Sequence, residues 1–222
     1  MSDARKKLTE LAHDSLDKGD VTGWFEKLYD GAGRDFTQIP WADLAPNPHL
    51  VSWHNGRRGE GRAVVVGAGL GDDAEYLSSL GYDVVAFDIA ESAIRRAKER
   101  FPQTRVKYMV GDLTSPDEDW HFAFAFVFEA YTVQALPFGS RERDRSLRAL
   151  PWMVAPGGEM LLIARGREES DPAGELPWPM THEEIQRLES NGLRIDSFED
   201  FADGAERRFR VLLRKRDLGA SA

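Results

Sequence analysis

AVVVGAGLGDDAEYLSSLGYDVVAFD, residues 63–88, is the stretch that decides the fold. It reads as an apolar run, Ala63 to Val66, that meets glycines, then a helix from Asp72 to Leu80 that Gly81 stops, then a second apolar run, Asp83 to Phe87, closed by Asp88. Continuous apolar runs separated by a helix are the pattern of parallel strands covered on both faces. Gly67, Gly69 and Gly71 fall where the first strand turns into its helix. Missing side chains at such a turn let backbone come close to a ligand, with the helix N-terminus facing it. Asp88 follows Gly71 by seventeen residues and ends the second strand, where a carboxylate can accept two hydrogen bonds from a ribose diol.

The same grammar continues toward the C-terminus. Ala90 to Arg100 reads as a helix stopped by Pro102, and Arg105 to Val110 as a third strand, again followed by an acid, Asp112. HFAFAFVF, residues 121–128, supplies a fourth strand. Period-two alternation predicts Phe122, Phe124, Phe126 and Phe128 on one helical layer, with Ala123, Ala125 and Val127 on the other. A helix follows over 141–154, kinked or restarted by Pro151, and Pro156-Gly157-Gly158 turns into a fifth strand, Glu159 to Ala164. Thr181-His182-Glu183-Glu184 is a capping-box start for a helix ending at Asn191-Gly192. Leu193 to Phe198 and Phe209 to Leu213 have no helix between them, so this last strand pair is antiparallel.

Upstream, residues 4–18 and Thr22 to Tyr29 read as helices, the second with Thr22 as cap. An irregular aromatic and proline-rich stretch then leads to a short helix around His49 to Asn55. The expected organisation is an N-terminal helical and aromatic extension, 1–58, forming a lid, and an α/β domain with helices on both faces of its sheet, 59–218.

Net charge is −9, from 38 acids against 29 bases. An acidic surface repels a phosphate backbone, which argues against nucleic acid as a partner. The chain has no cysteine, which excludes disulfides, thiolate nucleophiles and thiolate metal sites, and fits a reducing, cytoplasmic compartment. Its N-terminus lacks the apolar core of a signal peptide. The longest apolar run, Phe122 to Phe128, is far too short to span a bilayer. The five histidines, His13, His49, His54, His121 and His182, have no metal-site spacing, so no metal is expected; His49 and His54 share the lid region as candidate bases.

Which nucleoside the glycine turn would hold is decided by its sixth position. A dinucleotide fingerprint wants glycine there, beneath the pyrophosphate, and this chain has Asp72, followed by Asp73. Two carboxylates would repel phosphates but suit a cationic sulfonium and an ammonium. No Gly-Lys-Ser/Thr follows, so a Walker loop is excluded. After the third strand, the Asp112 carboxylate can receive an adenine amino group, with Ile89 and Leu113 on the ring faces.

VVVGAGLGDDAEYLSSLGYDVVAFDIAESAI, the later VGDL and the APGG before strand five resemble the class I S-adenosylmethionine-dependent methyltransferases, from about residue 60 to the end. Within that superfamily the chain looks nearest to the thiopurine methyltransferase-like group, through its length and tryptophan-containing extension. The resemblance implies a Rossmann-like seven-stranded sheet in the order 3-2-1-4-5-7-6 with strand 7 antiparallel. It also implies S-adenosyl-L-methionine as cofactor, with Gly67, Ala68, Gly69, Gly71 and Asp73 at the methionine part. Asp88 would take the ribose, and Ile89, Asp112, Leu113 and Phe128 would complete the nucleoside site. The chain departs from the group at Phe128-Glu129-Ala130-Tyr131, where members often carry Asp.

Trp24, Tyr29, Phe36, Trp41 and Trp53 are too many large rings for a solvent-facing segment. Trp24, Tyr29, Trp41 and, from the loop after strand five, Trp178 are the expected walls of an apolar pocket for a small-molecule acceptor. Gln134 and Arg141 would orient the acceptor, Arg141 with Arg145 by meeting an anionic group. Methyl transfer needs mainly alignment, and an oxygen or nitrogen acceptor would add a base, for which Glu129 is the best placed; Tyr131 is the other catalytic candidate, as a residue that orients the acceptor. The rival readings are a nicotinamide-dependent oxidoreductase, which Asp72 opposes, and a methyltransferase-shaped domain that binds without turnover.

Overall fold

A computed structural model describes residues 3–217. The helices are α1 (Asp3–Leu16), α2 (Gly23–Ala32), α3 (Pro48–His54), α4 (Asp72–Leu80), α5 (Glu91–Arg100), α6 (Arg141–Met153) and α7 (His182–Ser190). The strands are β1 (Arg62–Val66), β2 (Asp83–Asp88), β3 (Lys107–Val110), β4 (Phe124–Ala130), β5 (Val154–Arg165), β6 (Leu193–Asp203) and β7 (Glu206–Lys215). They form one seven-stranded sheet in the order β3-β2-β1-β4-β5-β7-β6. β1 to β5 run parallel, and β7 is antiparallel to both β5 and β6.

The period-two pattern sorts side chains into two layers. Val64 and Val66 join Leu147, Leu150, Ile185 and Leu188 on the side covered by α6 and α7. Ala63 and Val65 join Leu50, Leu77, Ile94 and Ala97 on the side covered by α3, α4 and α5. Each Val, Leu, Ile, Phe or Met side chain buried in these layers contributes about 1.5–3 kcal/mol relative to exposure.

The fourth strand departs from its expected phase. Phe126 and Phe128 lie in the α3–α5 layer, where Phe126 stacks on Trp53 and Tyr82, each at 5.4 Å between ring centroids. Phe124 lies in the opposite layer with Val127, its ring 6.1 Å from that of Trp120. The register against β5 shifts between Phe124 and Phe126, which turns Phe124 to the other face. Phe122 is not in the strand at all: its φ of +53° turns the chain before β4 begins, and its ring lies 3.8 Å beneath the Lys215 ammonium.

Smaller differences have local causes. Thr22 makes no side-chain cap to α2; the Asp20 carboxylate does so instead, accepting from Gly23 N at 2.7 Å. The capping box at Thr181 and Glu184 forms as the sequence predicts. β6 and β7 are longer than their apolar cores. Ion pairs on opposite faces of this ribbon, Arg210–Glu199 and Arg207–Asp200, each at 2.6 Å, accompany its extension past Phe198 and ahead of Phe209. Position 218, the far end of the expected α/β domain, lies outside the described residues.

α1 and α2 sit beyond the carboxyl ends of the central strands. Leu8, Ala12, Trp24 and Leu28 form one small cluster, and Tyr29, Ala32 and Ile39 form another with Leu70, Ala90 and Ala93. Glu26 ties α2 to the start of α5 by accepting from Ser92 N at 2.9 Å and Ser92 Oγ at 2.5 Å. Among the described residues no helix is long and apolar enough to cross a membrane.

Candidate cofactor and acceptor site

A cavity of about 460 Å³ opens at the carboxyl ends of the parallel strands, between them and the N-terminal helices. Open α/β sheets place their ligands at this edge, where the chain order reverses beside the first strand. The turn from β1 to α4 forms its floor.

Gly67, Gly69 and Gly71 all hold positive φ, +65°, +52° and +94°, in the left-handed region that glycine enters without penalty. The protein's own packing sets a second demand. A Cβ at Gly67 would overlap the Thr132 side chain, and one at Gly71 would overlap the Tyr108 hydroxyl. These two glycines therefore admit neighbouring side chains behind the loop as well as leaving backbone open toward the cavity.

Asp88 holds this loop from below. Its Oδ2 accepts from Gly69 N and its Oδ1 from Ala90 N, both at 2.9 Å. Burial pushes its carboxyl up to about 6, against the pull of these backbone donors. Asp73 is likewise raised to about 6 by burial, although it accepts from Asn47 N at 2.6 Å. That bond joins the segment before α3 to the first turn of α4.

The two acids after the glycines do different things. Asp72 is held in a two-pronged ion pair with Arg100, both contacts at 2.7 Å, so its charge is compensated by the protein. Asp73 has no such cation and carries the negative charge of this turn into the cavity wall. Asp112, after β3, accepts from Thr114 N at 2.7 Å and also lines the cavity, as do Ile89 and Leu113. This end thus offers carboxylates and bare backbone. Such an acidic wall fits a cationic amino acid part, ribose hydroxyls and an adenine amine, and opposes a pyrophosphate.

Each raised carboxyl keeps its proton in the folded chain between its ordinary value of 3.8 and about 6, where the unfolded chain has lost it. Their contribution to stability is therefore present below 3.8 and declines as pH rises to about 6. A ligand that needs the ionised forms reverses the sign for binding. The affinity for S-adenosylhomocysteine is expected to rise with pH through about 6 and to be weaker at pH 5 than at pH 8 by about tenfold per carboxyl. Calorimetry across that range checks this, and a flat profile contradicts it.

Most of the sequence-predicted site residues meet here. Gly67, Ala68, Gly69, Gly71, Asp73 and Asp88 line the cavity, and so do Trp24, Tyr29, Trp41, Tyr131 and Gln134, with the Tyr29 hydroxyl close over Gly69. Trp41 donates its indole N–H to the Tyr29 hydroxyl at 2.9 Å, which fixes both rings. Four predicted residues do not line the cavity. Phe128 is buried in the layer beneath the sheet. Arg141 is exposed on the first turn of α6, and so is Arg145 one turn on; the inward arginine is Arg143 between them. Trp178 contributes through its backbone, its N–H donating to Gln134 O at 2.7 Å, while Leu176 and Pro177 form that wall.

The fourth is Glu129. Its side chain is fully buried at the end of β4, and Oε1 accepts from Thr132 N at 2.7 Å and Val133 N at 3.0 Å. Burial raises its carboxyl to about 7. It props the loop that carries Tyr131 and Gln134 and is walled off from the cavity. Of the two lid histidines, His49 lines the cavity and pairs with Asp203 at 3.2 Å. His54 lies buried on the other side of the sheet, 3.4 Å from the Tyr82 hydroxyl. Glu168, Glu169 and His182 gather within 4.8 Å of one another at the surface, and none lines the cavity.

Sequence reasoning missed Thr132, which fills the space behind Gly67, and the polar wall formed by Arg5, Arg165 and Arg208. The arginines at 207–208 read as the flank of a strand, and only the pairing of β7 with β5 carries Arg208 to the cavity.

Comparison with known proteins agrees with this geometry. Residues 63–158 match the model of a methyltransferase domain. Over 189 residues the chain is 25% identical to a probable thiol methyltransferase 2 of Arabidopsis thaliana, covering 81% of this chain and 76% of that protein. Among solved structures, an S-adenosylmethionine-dependent methyltransferase from Methanosarcina mazei superposes with a TM-score of 0.64 at 21% identity, covering 78% of this chain and all of the other. A glycopeptide N-methyltransferase in complex with S-adenosyl-L-homocysteine superposes with a TM-score of 0.60 at 17% identity, over 77% of this chain and 88% of that one. At these identities the likeness to the solved structures is one of fold. With its strand order, its glycine turn backed by Asp88, and a match across β1 to the start of β5, residues 63–158 are a methyltransferase domain, set in the fold of the S-adenosylmethionine-dependent methyltransferases.

Proposed function

We propose that the protein transfers the methyl group of S-adenosylmethionine to a small apolar or aromatic acceptor through a thiol, hydroxyl or amine. The carrying observation is one cavity lined by the glycine turn and Asp88 together with Trp24, Phe25, Trp41 and Leu176. The likeness to a probable thiol methyltransferase favours sulfur among these attacking atoms, as does the resemblance to the thiopurine methyltransferase-like group.

In this reading Gly67, Ala68, Gly69, Gly71 and Asp73 hold the methionine part, Asp88 the ribose hydroxyls, and Asp112 the adenine amine between Ile89 and Leu113. S-adenosylmethionine supplies a methyl already bound to a good leaving group. The protein's task is then to align the acceptor and keep water away. Residues 1–58 act as the lid, with Trp24, Tyr29 and Trp41 as apolar walls, and Tyr131 and Gln134 offer polar contacts opposite them. Incubating the protein with labelled donor and a panel of thiols, phenols, amines and carboxylates tests the reading, and no labelled product from any class contradicts it.

Glu129 supports the site through backbone in this account. Glu129→Gln keeps an oxygen for Thr132 N and Val133 N, so kcat/KM should stay within about threefold of the parent with an unchanged pH profile. Glu129→Ala leaves two buried N–H groups unpaired, about 1–3 kcal/mol each, and should lower the melting temperature. Loss of one limb of the pH–rate profile in Glu129→Gln would return the carboxylate to a proton-transfer role.

A further inference from the structure

One wall of the cavity carries paired charges and hydrogen-bond donors. Arg165, the last residue of β5, and Arg208 of β7 are direct partners across the antiparallel ladder, and both line the cavity. Like charges directly opposite each other destabilise a strand pair. Two carboxylates answer them. Glu206 lies 2.6 Å from Arg165 and 3.8 Å from Arg208, and Asp203 lies 3.4 Å from Arg208 while also serving His49 at 3.2 Å. Arg5 lines the same cavity, and its charge, after burial and Arg208, helps hold the Arg165 guanidinium below its ordinary value. Glu206 and Asp203 thus hold the two opposed guanidiniums side by side at the cavity wall.

Gln134 adds a donor whose direction is fixed. Its Oε1 accepts from Arg165 N at 2.7 Å, so the group turned toward that amide must be the oxygen, leaving Nε2 as the other arm. That nitrogen is buried at the cavity wall with no hydrogen-bond partner, and the residue is only 1% exposed. A buried amide left without an acceptor costs about 1–3 kcal/mol, so a built-in vacancy for an acceptor atom calls for a ligand. Tyr131, in the left-handed region at φ +65° and with its ring 5.2 Å from the Arg208 guanidinium, completes this wall.

We infer that the acceptor is a small organic anion, whose carboxylate is held by Arg165, Arg208 and Gln134 while its apolar body lies against Trp24 and Trp41. The inference rests on the acceptor site proposed above and names its substrate class. The cavity then offers carboxylates to a cationic cofactor and guanidiniums to an anionic acceptor.

The test is calorimetric titration of the protein saturated with S-adenosylhomocysteine, using benzoate and phenylacetate against the neutral benzamide and benzyl alcohol. Binding of the carboxylates at least tenfold tighter than their neutral counterparts, with the preference lost in Arg208→Gln while S-adenosylhomocysteine affinity is kept, is the expected result. Equal or tighter binding of the neutral compounds overturns the anion inference and leaves methyl transfer to an apolar acceptor standing. Failure of all four to bind also overturns it. Failure of S-adenosylhomocysteine itself to bind removes the underlying reading, and the inference with it. The wild-type comparison decides the question even where the variant folds poorly.

Discussion

Replacing Asp88 with alanine is expected to weaken S-adenosylhomocysteine binding at least tenfold, about 1.4 kcal/mol or more. Two losses add. The ribose loses its carboxylate, and the Gly69 and Ala90 amides that Asp88 accepts at 2.9 Å are left without a partner beneath the glycine turn. Gly69 stands at φ +52°, and its amide is what pins that conformation to the end of β2. Asp88→Asn separates the two contributions. One amide oxygen can still accept from one backbone N–H, but the charge and the second acceptor are gone, so binding should fall between alanine and the parent. Titration calorimetry on all three proteins measures it, and unchanged affinity in Asp88→Ala would remove the residue from the site.

The largest expected loss of stability lies outside the cavity, at Arg143. This guanidinium is 1% exposed, and its Nε and Nη2 meet Glu184 Oε1 and Oε2 at 2.7 and 2.9 Å. It also donates to Leu136 O at 3.0 Å and Trp178 O at 3.1 Å. One side chain thus ties α6 to the start of α7 and to the loops that carry Leu136 and Trp178. Removing one member of a buried pair leaves the other charge uncompensated, which costs about 3–5 kcal/mol. At roughly 2–4 °C per kcal/mol for a chain of this size, Arg143→Ala should lower the melting temperature by roughly 6–20 °C. Adding Glu184→Leu should recover part of the loss, because the orphaned carboxylate is then gone. A fall of less than about 3 °C in the single variant contradicts this.

The sequence told the fold and the cofactor end in detail and the acceptor end only in outline, for reasons tied to particular residues. Val64 to Val66 and Val84 to Phe87 can be read because strands buried on both faces leave unbroken apolar runs, and glycine is the cheap residue for a loop at φ +52° to +94°. The phenylalanines of β4 misled because alternation records intent only while the register holds, and the shift at Ala125 reverses it for Phe124. Glu129 carries the same sequence signature whether it faces a cavity or caps its own loop; only the hydrogen bonds to Thr132 and Val133 tell these apart. Arg141 and Arg145 drew attention over Arg143 because all three are arginines on one helix. A step of two residues, about 200° of helix rotation, is what turns Arg143 inward. Arg165 and Arg208 are 43 residues apart, and their opposition is a property of the β5–β7 register, which no local window contains.

The central claim is that a sulfonium nucleoside lies across the tip of β1 with its sugar on Asp88. A crystal structure of the protein grown with S-adenosylhomocysteine tests it most directly. The expected map has the amino acid part along Gly67–Gly71, both ribose hydroxyls on the Asp88 carboxylate and the adenine beside Asp112. Side chains filling that crevice under saturating ligand, or a pyrophosphate bound over the glycine turn when NAD is supplied instead, would contradict it.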